Sequence, residues 1–217
     1  MIRILVVDDH GILREGIDLI IEQTDDMEVV GQAADGREGV DLARKLKPDV
    51  VLMDISMPGL NGIDASREII NENPNVKILA LSAHCNRRFI KDTLRSGVTG
   101  YALKDGMADE LVDAIRIVHA GERYLSRKVA KVVVEDYIHS TESVGEKSPL
   151  DKLTTREREI LQLLAENKTT KEIAKLLHVS TKTIEANRRN LMTKLGLSGV
   201  ADLTKLAIRE GLTSLEL

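Results

Sequence analysis

Short apolar segments alternate with longer amphipathic segments through the first 120 residues. The apolar segments are IRILVV, EVVGQAA, DVVLM, KILALS and TGYAL, and the stretches between them carry apolar residues at helical spacing. Strands that are apolar throughout, rather than at alternate positions, are typical of a parallel sheet that is buried on both faces. The pattern therefore predicts an α/β domain, a doubly wound sheet of five parallel strands with helices on both sides.

A different pattern begins after the last apolar segment. Residues 126–139 have helical spacing, and the polar, aperiodic STESVGEKSPLDK that follows is predicted to be a linker. Helices alone are expected beyond it, at about 155–166, 170–177, 181–194 and 199–211. The predicted boundaries are 1–122 for the α/β domain, 123–150 for a helix and linker, and 151–217 for a small all-α domain.

The starts of the four C-terminal helices are marked by hydroxyl side chains that can cap them. The expected N-caps are Thr154, Thr169, Ser180 and Ser198. The first two each precede a glutamate by three positions, which is the pattern of a capping box. Asn167 is expected to adopt the left-handed conformation that ends the first of these helices.

Composition narrows the class of protein. The 217 residues suit two small domains, and the single cysteine, Cys85, excludes an internal disulfide. The chain has no signal-peptide pattern at its start and no apolar run of about 18 residues, so a cytoplasmic protein is expected. Three Tyr and one Phe offer few platforms for stacking single-stranded bases. Residues 150–217 carry 12 Lys and Arg against 9 Asp and Glu, whereas the rest of the chain is acidic, so the tail is the part suited to nucleic acid.

Polar side chains follow four of the predicted strands where each strand ends. Asp8 and Asp9 follow the first strand, Asp54 the third, Ser82 the fourth and Lys104 the fifth. Carboxyl ends of strands in a doubly wound sheet form its ligand site, so these groups are expected to converge. Clustered carboxylates favour a hard divalent cation such as Mg²⁺. With the lysine and the hydroxyl beside them, they suit phosphoryl transfer to Asp54 as the nucleophile, with an aspartyl phosphate as product.

Residues 1 to about 120 resemble the receiver domain of two-component response regulators, which has a flavodoxin-like fold. The resemblance rests on VVDDH, LMDISMPGLNG, LSAH and GYALKD. It implies that Asp9 is a direct Mg²⁺ ligand, that Asp8 acts largely through water, and that Asp54 is both phosphoacceptor and ligand. It also implies a third protein ligand, the backbone carbonyl of Ser56.

The same resemblance implies a switch pair, Ser82 and Tyr101. Lys104 stands at the family's lysine position, where it would neutralise oxygens of the phosphoryl group. Tyr101 suits a bistable element because its ring has an apolar body and a polar tip, so it can point outward or inward. His84 flanks the site, and no metal role is expected for His84 or Cys85 because no further His or Cys lies at ligand spacing.

The segment KEIAKLLHVSTKTIEANRRNLMTKLG predicts a helix-turn-helix unit. In its second helix, Ile184, Leu191 and Leu195 are predicted to face the core. An opposite face is predicted to carry Lys182, Glu185, Ala186 and Arg189. The final helix is apolar on more than one side, which predicts that it packs inward and also pairs with a second copy.

Residues from LTTRERE to MTKLG are similar to the four-helix DNA-binding domain of LuxR-type regulators, so the two halves together resemble a NarL/FixJ-type response regulator. The resemblance implies contacts to base edges from Glu185, Ala186 and Arg189, and contacts to phosphates from Lys182, Thr183, Arg188 and Lys194. The chain departs from the family at Asn167, where glycine is usual, and at Asn187, where histidine is frequent.

The leading hypothesis is a transcription regulator that a sensor histidine kinase phosphorylates on Asp54. It would then dimerise and bind promoter DNA, with RNA polymerase as a further partner, and would be no enzyme beyond catalysing its own Mg²⁺-dependent phosphorylation and dephosphorylation. One alternative is a Mg²⁺-dependent phosphatase with an aspartyl nucleophile. The adjacent Asp8 and Asp9 differ, however, from the Asp-x-Asp of haloacid-dehalogenase-type enzymes. Another alternative is a DNA-binding protein whose receiver acts without phosphate, which the complete acidic site disfavours.

Overall fold

The computed structural model describes residues 1–83, 85–105, 107–139 and 148–213, with backbone alone at Arg88, at 107–109 and at His139. These residues belong to two compact units, Met1–Glu142 and Ser143–Leu217. His84 and residues 140–147 of the predicted linker lie outside the described part. None of the described helices combines the length and apolar character needed to span a bilayer.

The first unit contains a parallel sheet, which confirms the predicted class. Its strands are β1 (Ile2–Val7), β2 (Met27–Ala33), β3 (Val50–Asp54), β4 (Lys77–Ser82), β5 (Gly100–Leu103) and β6 (Tyr124–Leu125). In the described residues the sheet has six strands in the order β2-β1-β3-β4-β5-β6. The sixth strand, which was not predicted, is only two residues long and pairs with β5 through Gly100–Tyr124 and Tyr101–Leu125. Two residues are too few to show a hydrophobic period, so the sequence pattern could not predict this strand.

Helices cover both faces of the sheet, as expected. They are α1 (Gly11–Ile21), α2 (Gly36–Leu46), α3 (Gly62–Glu72), α4 (Arg87–Arg95), α5 (Met107–His119) and α6 (Arg127–His139). Side chains on β1 and β3 alternate between two cores: Val6 and Leu52 join the cluster with α1 and α5, and Val7 and Met53 join the cluster with α2, α3, α4 and α6. Because the four inner strands β1, β3, β4 and β5 are buried on both faces, their carboxyl ends are held in fixed positions.

The second unit is helical in its described residues. A short 3-10 helix (Pro149–Lys152) precedes α7 (Thr155–Ala165), α8 (Thr170–Leu176), α9 (Thr181–Leu195) and α10 (Val200–Arg209). Capping boxes at Thr154 and Thr169 are confirmed, as is the Ser180 cap. Asn167 has a φ of 60°, the predicted left-handed conformation. The cap at Ser198 is wrong: α10 begins one position later, with Gly199 as an N-cap that lacks a side-chain hydrogen bond.

Candidate functional site

The carboxyl edge of the sheet brings together the acidic and basic residues that the sequence singled out. Asp8 follows β1, Asp54 ends β3 and Lys104 follows β5. The Lys104 Nζ lies 2.8 Å from Asp8 Oδ2 and 2.8 Å from Asp54 Oδ2. Both carboxylates are buried, with side chains 0% and 1% exposed. Among the described residues these two oxygens have no partner other than this ammonium.

Burial and the neighbouring charges both influence the pKa values of Asp54 and Lys104. Burial raises the pKa of the Asp54 carboxyl, and the neighbouring Asp8 charge adds to this, although Lys104 opposes it through a hydrogen bond and its charge. For Lys104, burial opposes the charged form, but the hydrogen bonds and charges of Asp54 and Asp8 raise its pKa overall. One ammonium therefore neutralises two buried carboxylates only in part, and the site retains excess negative charge.

The donor set at this edge fits a hard cation. One ligand atom from each of Asp8, Asp9, His10 and Asp54 lies within 4.8 Å of the others. The carboxylates supply the oxygen ligands that Mg²⁺ prefers, and the excess negative charge favours a cation there. The Ser56 amide donates to Asp54 Oδ1 over 3.1 Å, which places this residue beside the cluster.

His10 joins the cluster although no role was predicted for it from the sequence. Its ring Nδ1 lies 3.0 Å from Asp8 Oδ1 and 2.9 Å from Asp9 Oδ1, and its backbone amide donates to Asp8 Oδ1 over 2.8 Å. His10 is the N-cap residue of α1, so the helix start fixes its position. The signal that could have found it is its place directly after the acid pair in VVDDH.

The predicted switch pair is brought together in the inward arrangement. Ser82 and Tyr101 are fully buried and joined by a side-chain hydrogen bond. Burial raises the pKa of the Tyr101 hydroxyl to about 12, against the effect of the bond to Ser82. The Tyr101 carbonyl also accepts a hydrogen bond from the Ser126 amide over 3.0 Å. Tyr101 is thereby connected to the start of α6.

A close packing contact positions the Asp54 backbone. A Cβ added to Gly62, the first residue of α3, would lie 1.9 Å from the Asp54 carbonyl oxygen. Gly62 is the last residue of the LMDISMPGLNG segment, and no role was predicted for it from the sequence. The structure shows that a glycine is required there because the α3 start lies directly against the backbone of Asp54.

In the second unit, α8 and α9 form the predicted helix-turn-helix. Ile184 and Leu191 are buried in the core, as expected, and Leu195 is half-buried. The residues predicted to contact DNA are exposed, except for the half-buried Arg188: they are Lys182, Thr183, Glu185, Ala186, Arg189 and Lys194. Lys194 Nζ lies 2.6 Å from Glu157 Oε1, so this lysine also ties α9 to the start of α7.

Two family models match the chain. Residues 4–116 match the response regulator receiver domain, and residues 151–207 match the bacterial regulatory proteins of the luxR family. The chain belongs to the response regulator family. Both matches agree with the resemblance found in the sequence, and this response regulator combines a receiver with a LuxR-type DNA-binding domain.

Relatives and solved structures of the response regulator support the same assignment. The oxygen regulatory protein NreC of Staphylococcus carnosus is 36% identical over 213 residues, covering 97% of this chain and 98% of the relative. A LuxR-family two-component response regulator from an Aurantimonas species superposes with a TM-score of 0.62 at 37% identity, covering 64% of this chain and 99% of that chain. RcsB in a complex with DNA superposes with a TM-score of 0.58 at 28% identity, covering 94% of this chain and 96% of that chain.

Proposed function

We propose that Asp54 accepts a phosphoryl group from a sensor histidine kinase, and that the phosphorylated chain dimerises and binds promoter DNA to regulate transcription. The observation that carries the proposal is the ammonium of Lys104, 2.8 Å from the buried carboxylates of both Asp8 and Asp54. A cation in this position stabilises the charge of a transferring phosphoryl group.

The transfer is a displacement at phosphorus. A carboxylate oxygen of Asp54 attacks the phosphorus of a phosphohistidine, the phosphorus–nitrogen bond breaks, and the imidazole leaves with the electron pair and takes up a proton. Hydrolysis reverses the modification: water attacks the phosphorus and loses a proton, the bond between phosphorus and the Asp54 carboxylate oxygen breaks, and the carboxylate leaves with the electron pair as inorganic phosphate is released. Residues of this chain position the groups in both steps.

Mg²⁺ is the proposed cofactor. Asp9 and Asp54 would bind it directly, Asp8 largely through water, and Ser56 through its backbone carbonyl. When bound, the ion would offset the negative charge of the carboxylates and of the phosphoryl oxygens. The proximity of Asp8, Asp9 and Asp54 and the excess negative charge of the site support this assignment.

Ser82 and Tyr101 are the proposed switch. Ser82 ends β4 at the acidic edge, where its hydroxyl can donate to a phosphoryl oxygen, and its hydrogen bond to Tyr101 links the two side chains. A phosphate that engages Ser82 changes the relative stability of the inward and outward positions of Tyr101, which shifts the population between them.

The proposed DNA contacts lie on α9. Glu185, Ala186 and Arg189 would contact base edges in the major groove, and Lys182, Thr183, Arg188 and Lys194 would contact phosphates. The exposed positions of six of these residues support the assignment. The half-buried apolar residues Val200 and Ile208 on α10 support pairing with a second copy.

The phosphoacceptor is tested by labelling with acetyl phosphate and Mg²⁺. We expect a single phosphorylated residue, Asp54, and loss of labelling in Asp54→Asn or after chelation of the metal. Light scattering should show a larger mass after phosphorylation of the parent chain only. Full labelling of Asp54→Asn at the parent rate would refute the assignment.

The DNA-binding helix is tested with two variants that should differ. Arg189→Ala should cost about 1 to 3 kcal/mol on the preferred site and relax base choice at one position per half-site. Lys182→Ala should weaken binding to all sequences alike and reduce the slope of log affinity against log salt by about 1. Lys131→Ala, on α6 of the first unit, should change neither the affinity nor the salt slope. Identical losses of affinity for both α9 variants on specific and random DNA would contradict the division of these residues into base contacts and phosphate contacts.

A further inference from the structure

A groove in the first unit lies between α4 and α6, and it shares no residue with the acidic edge. It encloses a volume of about 260 Å³. Its apolar wall is aliphatic, formed by Ile90 and Leu94 of α4 and by Val132 and Val133 of α6. These four side chains are buried or half-buried, so the groove already exists without rearrangement of the core.

One side of the groove is basic. Arg87, Lys91 and Arg95 line it at intervals of four residues along α4, so they follow one side of the helix over about 12 Å. Arg87 pairs with Asp136 of α6, across one end of the groove. Among the described residues, neither Lys91 nor Arg95 forms an ion pair. Two cationic groups therefore border an aliphatic pocket without a described counter-charge.

We propose that this groove binds a small amphipathic anion, of the class of unbranched aliphatic carboxylates, with its chain against the aliphatic wall and its carboxylate on Lys91 and Arg95. The chemistry is complementary on both counts, because aliphatic side chains gain from covering a hydrocarbon chain and the two cations gain a counter-charge. The volume of about 260 Å³ lies just below the range of roughly 300 to 1,000 Å³ typical of drug-sized ligands, which favours a small molecule over a peptide.

The inference is independent of the proposed role of Asp54. None of the groove residues belongs to the acidic site or to the DNA-contacting face of α9. Ligand binding can therefore be measured in Asp54→Asn, where phosphorylation is absent, and the two proposals can fail separately.

The test is titration of the full chain with hexanoate, octanoate and decanoate, each below its micelle-forming concentration. Methyl NMR spectra of Ile90, Leu94, Val132 and Val133 report the site, and calorimetry gives the affinity. We expect saturable shifts confined to these methyl groups. The dissociation constant should fall about threefold to fourfold per methylene buried.

Charge-reversal variants test the contribution of Lys91 and Arg95 to binding of the carboxylate. Lys91→Glu and Arg95→Glu should each weaken octanoate binding about tenfold, whereas Lys128→Glu, the same charge change on an exposed part of α6 outside the groove, should leave it within twofold. Octylammonium should not bind. The proposal is overturned if no ligand shifts these methyl groups, if octylammonium binds as well as octanoate, or if Lys128→Glu weakens binding as much as Lys91→Glu.

Discussion

Replacing Lys104 by methionine removes the positive charge from the acidic edge and keeps most of the aliphatic side chain. In the parent protein the ammonium lies 2.8 Å from each of two carboxylates, those of Asp8 and Asp54, that are almost entirely inaccessible to solvent. The variant leaves both buried carboxylates without their cationic partner. The change therefore tests whether the lysine holds the site together.

The magnitude follows from Coulomb's law. At 2.8 Å and an effective dielectric constant of about 20, each ion pair has a gross interaction of about 6 kcal/mol. Much of this is cancelled by desolvation, and removing one partner of a buried pair typically costs about 3 to 5 kcal/mol. We expect Lys104→Met to lower the free energy of unfolding of the receiver by this amount at neutral pH in the absence of divalent ions.

The loss should depend on pH. Burial already raises the pKa of Asp54 in the folded protein, and removing Lys104 raises it further. The folded variant then binds a proton more tightly than the unfolded chain does. Its stability is therefore greatest below the unfolded pKa of a carboxyl and is lost as pH rises through the higher folded pKa. The defect should be smaller near pH 4 than near pH 7.

Native-state hydrogen exchange in the full chain, with a chelator present, measures the effect on the slowest amides of β1 and β3. Lys45→Met, a matched change at an exposed position of α2, is the control and should alter the free energy by less than about 0.5 kcal/mol. If the free energy of unfolding of Lys104→Met fell by less than about 1 kcal/mol at pH 7 and did not depend on pH, the conclusion that Lys104 stabilises the buried carboxylates would be refuted.

Three further predictions concern glycine packing, a helix cap and the buried tyrosine. Gly62→Ala should lower the free energy of unfolding of the receiver by about 1 to 3 kcal/mol or more in a denaturation assay, and it should slow phosphorylation, because its Cβ collides with the Asp54 carbonyl. The control is Gly16→Ala inside α1, whose Cβ meets nothing within 4 Å. It should raise the free energy of unfolding by about 0.5 to 1 kcal/mol in the same assay. Glu157→Gln should lower the free energy of unfolding of the second unit by about 1 kcal/mol above pH 5 and by progressively less in acid. Although burial opposes the charged form, the capping and lysine contacts lower the pKa of this carboxyl overall. Equal losses of stability at pH 3 and pH 7 would contradict this. Carbon-13 NMR of Tyr101 should show phenolate only near pH 12, and a transition near 10 would mean that the ring is not held inside.

Most of the fold could be predicted because the signals for its strands and helix starts lie within short segments of the sequence. The central residues of β1, β3 and β4 form continuous apolar runs, and burial on both faces requires that composition. The acidic edge followed from the same logic, because Asp8, Asp54 and Lys104 stand directly at strand ends. Capping boxes marked α7 and α8 for a similar reason: the hydroxyl and the glutamate bond within one turn of helix.

Two of the missed features depend on how neighbouring elements approach one another in three dimensions. The role of Gly62 comes from the approach of α3 to the backbone of β3, and no local pattern encodes that distance. The contribution of His10 depends on how the first turn of α1 orients its ring toward both carboxylates. At Ser198 the error was local, since a hydroxyl one residue too early resembles a cap.

The sixth strand has a consequence for self-association. A parallel sheet that ended at β5 would leave that strand with a row of unpaired backbone groups, which is the usual template for adding a strand from another molecule. Here Tyr124 and Leu125 occupy that edge, and the chain then turns at once into α6. The new edge is two residues long, so it offers another molecule too few free amides and carbonyls to extend the sheet. The same short segment that links Tyr101 to α6 thus also hinders strand addition at the β5 side of the sheet.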